Sequence, residues 1–143
     1  MNSEFTIAVH SLVLLAYRPD HSATSELIAG NVSTHPARVR KVMSVLKKCG
    51  YVATKEGAGG GYTLSCDPTE VTLGEIYRAT SIGSIKPGWC SGSEEGDCMI
   101  ACNMTEVMDG IFSEAEERML TFLEQMKIAE VLERVRVVQK ERV

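Results

Sequence analysis

The sequence predicts a mainly helical fold that carries one small β-hairpin and ends in a long helix. Three observations predict it. Apolar residues recur at helical spacing over most of the 143 residues. A single glycine-rich run, Gly57-Ala58-Gly59-Gly60-Gly61, separates two short strand-forming stretches. From Met104 onward, apolar residues step by four and three, close to a heptad seam.

A chain of 143 residues is one domain, or a compact domain with an appended oligomerisation element. The hydrophobic share of 44% supports a real core and argues against wholesale disorder. No run approaches the roughly 18 apolar residues that span a bilayer, and no basic-then-apolar leader opens the chain. The expectation is a soluble cytoplasmic protein with no membrane partner.

The elements follow in order. Phe5, Ala8, Val9, Leu12, Leu15 and Ala16 make a buried helix over 4–17, stopped by Arg18-Pro19-Asp20. His10 lies in it and is given no role. Ser22 or Thr24 caps a short helix through SELIAGNV, with Leu27, Ile28 and Val32 inward, and Gly30-Asn31 ends it as a turn. Thr34 offers a cap for the next helix, whose first turn tolerates Pro36, and Gly50 terminates it. Over 35–48, Val39, Val42, Met43 and Leu46 form an apolar stripe. Arg40, Lys41, Ser44, Lys47 and Lys48 fall opposite, with Ala37 near the start. Two short helices joined tightly, the second amphipathic and basic, make a helix-turn-helix.

Tyr51-Val52-Ala53 and Tyr62-Thr63-Leu64 then read as two strands around the glycines, a wing with Lys55 near its tip. Phosphate-cradling motifs fail residue by residue. Tyr62-Thr63 stands where a P-loop needs Lys-Ser/Thr, and Tyr62 where a dinucleotide fingerprint needs glycine. The glycines are better explained as a loop whose backbone approaches a DNA phosphate closely, the plain alternative being ordinary turn geometry, which needs no partner. Thr72 caps a helix that turns Leu73, Ile76 and Tyr77 inward, and an irregular Gly-, Ser- and Cys-rich stretch covers 81–103. Met104, Met108, Ile111, Ala115, Met119, Phe122 and Met126 mark a helix that needs a partner, and a second copy of the chain is the economical one. Ile128, Val131, Leu132 and Val135 mark a last helix, with the VVQKERV end frayed. The division is thus a winged helix-turn-helix domain over 1–80, a cysteine loop over 81–103 and dimerisation helices over 104–143.

Charge points to the partner. The net charge is −4, yet residues 1–55 carry seven Lys/Arg against three acids, and residues 56–143 eight against sixteen. Between 38 and 55 there are six bases and no acid. A basic segment on an acidic body suits a protein that meets double-stranded DNA with one face. The competing reading is a winged-helix module for protein interaction in metal or sulfur trafficking, with no DNA bound. No nucleophile–base pair or cofactor motif points to an enzyme.

The join from VRKVMSVLKKCGYV into EGAGGGYTL, followed by TLGEIY, resembles the Rrf-type winged-helix transcription regulators, the group of IscR, NsrR and CymR. The resemblance spans essentially the whole chain. It implies a homodimer crossing over through the 104–126 helix, repression as the usual outcome, and a palindromic operator. Each reading helix would enter a major groove, with its wing along the adjacent minor groove or backbone. Carried over by position, Ala37, Arg38, Arg40, Lys41 and Ser44 lie on or beside that helix. Thr24 and Ser25 start the supporting helix, and Lys55 with Gly59, Gly60 and Gly61 forms the wing. Arg is suited to guanine, whereas Lys47, Lys48 and Lys55 suit phosphates.

Many members of that family hold an iron–sulfur cluster on three cysteines in this place, and here stand Cys90, Cys98 and Cys102. The resemblance therefore implies an iron–sulfur cluster, 2Fe–2S in preference to 4Fe–4S. The chain departs from the pattern, with a wider first spacing and a narrower second one. No histidine follows Cys102, which leaves Glu106, Asp109 or a partner's Glu4 as candidate fourth ligand. Glu94, Glu95 and Asp97 add negative charge nearby. A cluster, a disulfide-forming thiol switch and an inert reduced loop all stay open. Cys49 and Cys66, at element ends near the core, read as structural.

Overall fold

The structure, a computed structural model, describes residues 2–143. Its elements run α1 (Glu4–Tyr17), β1 (Ser22–Ala23), α2 (Ser25–Val32), α3 (Pro36–Lys48), β2 (Val52–Lys55), β3 (Gly61–Leu64), α4 (Leu73–Thr80), α5 (Met99–Leu123) and α6 (Ile128–Arg142). The fold is mainly helical and winged, as the apolar periodicities predict.

α1 is the floor of the domain. Ile7, Ala8, Leu12 and Leu15 sit in the core at helical spacing. Ser11 is buried with them, and its hydroxyl donates to the Ile7 carbonyl at 2.7 Å. Pro19 forces Arg18 into an extended conformation (φ −66°, ψ 139°), which ends the helix. Ile28 and Ala29 of α2 and Val39, Val42, Met43 and Leu46 of α3 close on α1 from above.

Two cap assignments differ from expectation, each for a local reason. Thr24 caps α2, accepting from the Leu27 N–H at 3.1 Å, but α2 runs through Gly30-Asn31 to Val32. Ser33 takes the left-handed terminal conformation instead (φ 66°). His35, not Thr34, caps α3. Pro36 occupies the first helical position and holds its predecessor extended, so the cap must be residue 35. The His35 ring Nδ1 then accepts from the Ala37 N–H at 3.1 Å. Gly50 terminates α3 at φ 82°, as anticipated.

The wing has a third strand. The antiparallel sheet is ordered β1-β3-β2, with Val52 opposite Leu64 and Lys55 opposite Gly61. Ser22 and Ala23 pair with Thr63 and Tyr62. Two residues are too few to show alternation, so β1 has no pattern in the sequence.

α4 opens on a full capping box, Thr72 with Glu75. Tyr77 is fully buried, its ring edge-on to Phe5 at 5.5 Å. The turn between α5 and α6 docks beside it, with Leu73 N–H donating to Met126 O and Ile128 N–H to Val71 O. Leu120, Leu123, Met126 and Ile128 thereby join the core. α5 starts at Met99 rather than Met104, because the preceding segment folds back along its first turns. Ser93 N–H donates to Ala101 O at 3.0 Å, and Thr105 Oγ1 to Ser91 O at 2.5 Å. Cys102 therefore lies on a helix, and the irregular segment ends at Cys98. The last residues do not fray but stay helical to Arg142. No helix among the described residues is long and apolar enough to cross a membrane.

Candidate nucleic-acid interface

α3 buries its apolar stripe and presents Ala37, Arg38, Arg40, Lys41, Ser44, Lys47 and Lys48 to solvent. The exposed face carries no carboxylate of its own, as the residue count implied. The cations are nonetheless not equivalent. Lys41 pairs with Glu4 of α1 at 3.1 Å, and Arg38 hydrogen-bonds the Ser3 hydroxyl, so both lean towards the start of α1. Lys47 reaches the other way and donates to Thr54 Oγ1 of the wing at 3.1 Å. Among the described residues Arg40, Lys48 and Lys55 are in no ion pair.

The wing stands beside the start of α2. Lys55, Gly59, Gly60, Gly61 and Tyr62 line a shallow cleft of about 130 Å³ with Arg18, Thr24 and Leu27. Thr24 and Ser25 are half-buried there, and the Thr24 oxygen is already occupied as a cap. Burial pushes the Tyr62 hydroxyl up, while the nearby Arg40 guanidinium pulls it down and the Glu26 carboxylate adds to the rise. Arg18 and Tyr62 belong to this cleft, though nothing in the sequence singled them out. Arg18 was visible only as one more base, since its place depends on β1 pairing with β3.

The wing glycines have reasons inside the chain. A Cβ on Gly60 would stand 2.4 Å from the Lys55 carbonyl, and one on Gly61 2.4 Å from the Ala23 carbonyl. Gly57 and Gly59 have open space but positive φ (91° and 76°). Turn geometry and backbone packing account for all four without a phosphate.

The cysteine segment lies apart, along the first turns of α5. Cys90 is exposed. Cys98 is the residue before the helix, and the backbone N–H groups of Ala101 and Ile100 hold its thiol below the usual range. Neither closes a full capping hydrogen bond. Cys102 sits one α-turn on, its N–H donating to Cys98 O at 3.0 Å. Its thiol donates to Gly96 O at 3.3 Å. Among the described residues no three His, Cys, Asp or Glu side chains gather as a metal-binding group. Of the carboxylates considered as fourth ligand, Asp109 faces Lys86 at 3.9 Å and Glu4 faces Lys41. The three thiols are thus not drawn together around one point, with Cys90 exposed on the segment and Cys98 and Cys102 at the start of α5. Cys49 is exposed at the end of α3 rather than in the core, whereas Cys66 is half-buried.

Known proteins agree with the architecture. The profile of the Rrf2 family, described as iron-dependent transcriptional regulators, matches residues 1–134. NsrR, an HTH-type transcriptional regulator of Bacillus subtilis (strain 168), is 30% identical over 100 residues, 68% of each chain. YwnA of the same organism is 38% identical over 79 residues, a match spanning 55% of this chain and 57% of YwnA. A crystal structure from Lactobacillus plantarum superposes with a TM-score of 0.81 at 27% identity, covering 99% of this chain and 98% of that one. IscR of T. potens shares the fold, with a TM-score of 0.67 at 20% identity over 94% of this chain and 87% of its own. The chain belongs to the Rrf2 family of helix-turn-helix transcriptional regulators, a family of DNA-binding proteins rather than enzymes.

Proposed function

We propose that this protein is a sequence-specific repressor that grips a palindromic operator as a homodimer through α3 and the wing. The observation that carries the reading is the acid-free cationic face of α3, with Arg40 and Lys48 unpaired and Lys55 standing on the wing beside it. Arg40, near the middle of the exposed face, is the candidate for base-edge contact, with Arg38, Ala37 and Ser44 around it. Lys47, Lys48, Lys55 and the α2 start at Thr24 and Ser25 hold phosphates. Lys41 reaches a phosphate by leaving Glu4.

The dimer reading rests on α5, where Val107, Ile111 and Phe122 stay exposed on a helix whose last turns are in the core. Over the cysteine segment, the donor arrangement favours thiol chemistry above a cluster, with two thiols one α-turn apart at the helix start. Oxidation there is expected to change the affinity for DNA.

The test is selection from random-sequence duplex DNA, followed by binding across a salt series. The expected result is a two-fold symmetric site whose affinity falls steeply with salt, by about 0.9 in log K per log salt for each phosphate neutralised. Failure to select any site from reduced or oxidised protein overturns the reading. An anaerobic visible spectrum of fresh protein is expected to be colourless. Brown absorbance lost in a Cys90/Cys98/Cys102 triple serine variant would overturn the thiol reading in favour of a cluster.

A further inference from the structure

α5 is fastened to the winged-helix domain at two levels. At its C-terminal end Gly74 of α4 packs so closely that a Cβ there would stand 3.0 Å from the Glu124 backbone nitrogen. Arg78 and Glu124 pair across the same contact at 2.5 Å, but both are substantially exposed, and such pairs hold little. Two turns further up, a single oxygen of Glu116 accepts two hydrogen bonds. One comes from the hydroxyl of Tyr77 at 2.8 Å, the other from the backbone N–H of Gly83 at 2.7 Å. Tyr77 is fully buried, with its ring held against Phe5. A carboxylate accepting from a locked phenol and a backbone amide is the strong kind of hydrogen bond.

Beyond Glu116 towards its N-terminus, α5 leaves the core. The stretch from Met99 to Ala115 holds no fully buried residue, and its length is about 25 Å. Glu116 is therefore the fulcrum of a lever. A change of about 10° there moves the far end by about 4 Å over that 25 Å length, close to the roughly 3.4 Å step between base pairs.

We propose that Glu116 is a positioning residue that sets the angle of α5 on the winged-helix domain, and through it the half-site spacing the dimer accepts. The inference rests on the dimeric DNA-binding reading above. In it, two copies meet along α5, so any error in that angle is applied to both reading helices by the two-fold axis. Because the contact is made by one oxygen, a side chain that keeps an acceptor there, such as Gln, preserves it, and one that lacks it does not.

The experiment starts from the site selected by the wild-type protein. Duplexes are made with the two half-sites intact and the spacing changed by one base pair in either direction. Binding is compared for the wild type, E116Q, E116A, Y77F and R78A, with dimerisation checked by sedimentation. The wild type and E116Q should lose about tenfold or more in affinity for either altered spacing, about 1.4 kcal/mol. R78A should behave likewise. In E116A and Y77F the loss should shrink to about threefold or less, with affinity for an isolated half-site unchanged. Hydrogen exchange at the Gly83 amide should quicken in E116A, and wing amides should not change. Y77F removes one hydroxyl only, which keeps the test open if E116A folds poorly. Full spacing discrimination in folded E116A and Y77F overturns the inference alone. A wild-type protein that selects no two-fold site overturns the dimeric reading, and this inference with it.

Discussion

Cys66 and Cys98 carry the same group into opposite settings. Burial pushes the Cys66 thiol up, and the carboxylates of Asp67 and Glu75 add to the rise. Backbone N–H groups at the start of α5 hold Cys98 down. A lowered pKa means more thiolate at a given pH, and the thiolate is what reacts. Alkylation by iodoacetamide, read by mass spectrometry across pH, should therefore reach half its limiting rate at lower pH for Cys98 than for Cys66. The reverse order would contradict this assignment. The wing and helix glycines offer a second contrast. Gly61→Ala drives a Cβ to 2.4 Å from backbone, and should destabilise by about 1–3 kcal/mol in thermal or urea unfolding. Gly30→Ala, in the body of α2 with open space around it, should stabilise by about 0.5–1 kcal/mol. At this scale the sequence was legible wherever a side chain answers to its neighbours in the chain, as with Thr24, Gly50 and Thr72. It was not legible for Arg18 and Tyr62, whose partners are set by strand pairing, nor for Cys49, which stands exposed where α3 ends.

Among the elements, α3 was the most readable, because one helix with an apolar stripe and a basic face satisfies core and solvent at once. β1 was the least, since two residues carry no period. The start of α5 was misplaced because the signal that extends it lies in the segment folded back upon it, through Ser91 and Ser93. α4 depends most on its cap. Thr72 is buried, its hydroxyl accepts from the Glu75 N–H at 3.1 Å, and the Glu75 carboxylate accepts in turn from the Thr72 N–H. Thr72→Ala should cost about 0.5–2 kcal/mol in unfolding. Because Tyr77 rides on the same helix, it should also loosen the grip on Glu116, visible as faster exchange at Gly83.

For the molecule as a whole, the exposed apolar side chains of α5 and the cations of α3 stand on different elements, which allows association and DNA binding to be separated by substitution. Ile111→Glu places a charge on a side chain 53% exposed in the single chain. It should weaken the dimer by an order of magnitude or more in sedimentation, since a charge is costly to bury unpaired, while the thermal stability of the chain changes little. Lys48→Ala and Lys55→Ala should instead leave the dimer intact and each lower the salt slope of DNA binding by about one.

The three-stranded sheet has a thermodynamic consequence for contact with a duplex. Leu64 N–H donates to His21 O, and the hydroxyls of Ser22 and Thr63 meet at 3.0 Å, so the wing is stitched to the residues that lead into α2. A free hairpin would have to be ordered when DNA arrives, with an unfavourable entropy and a large negative heat-capacity change. This one is shaped beforehand. Its landing should be calorimetrically quiet, with a heat-capacity change no larger than the surface it covers, and deleting the Ser22–Thr63 contact should show first as a slower encounter rather than a weaker fold.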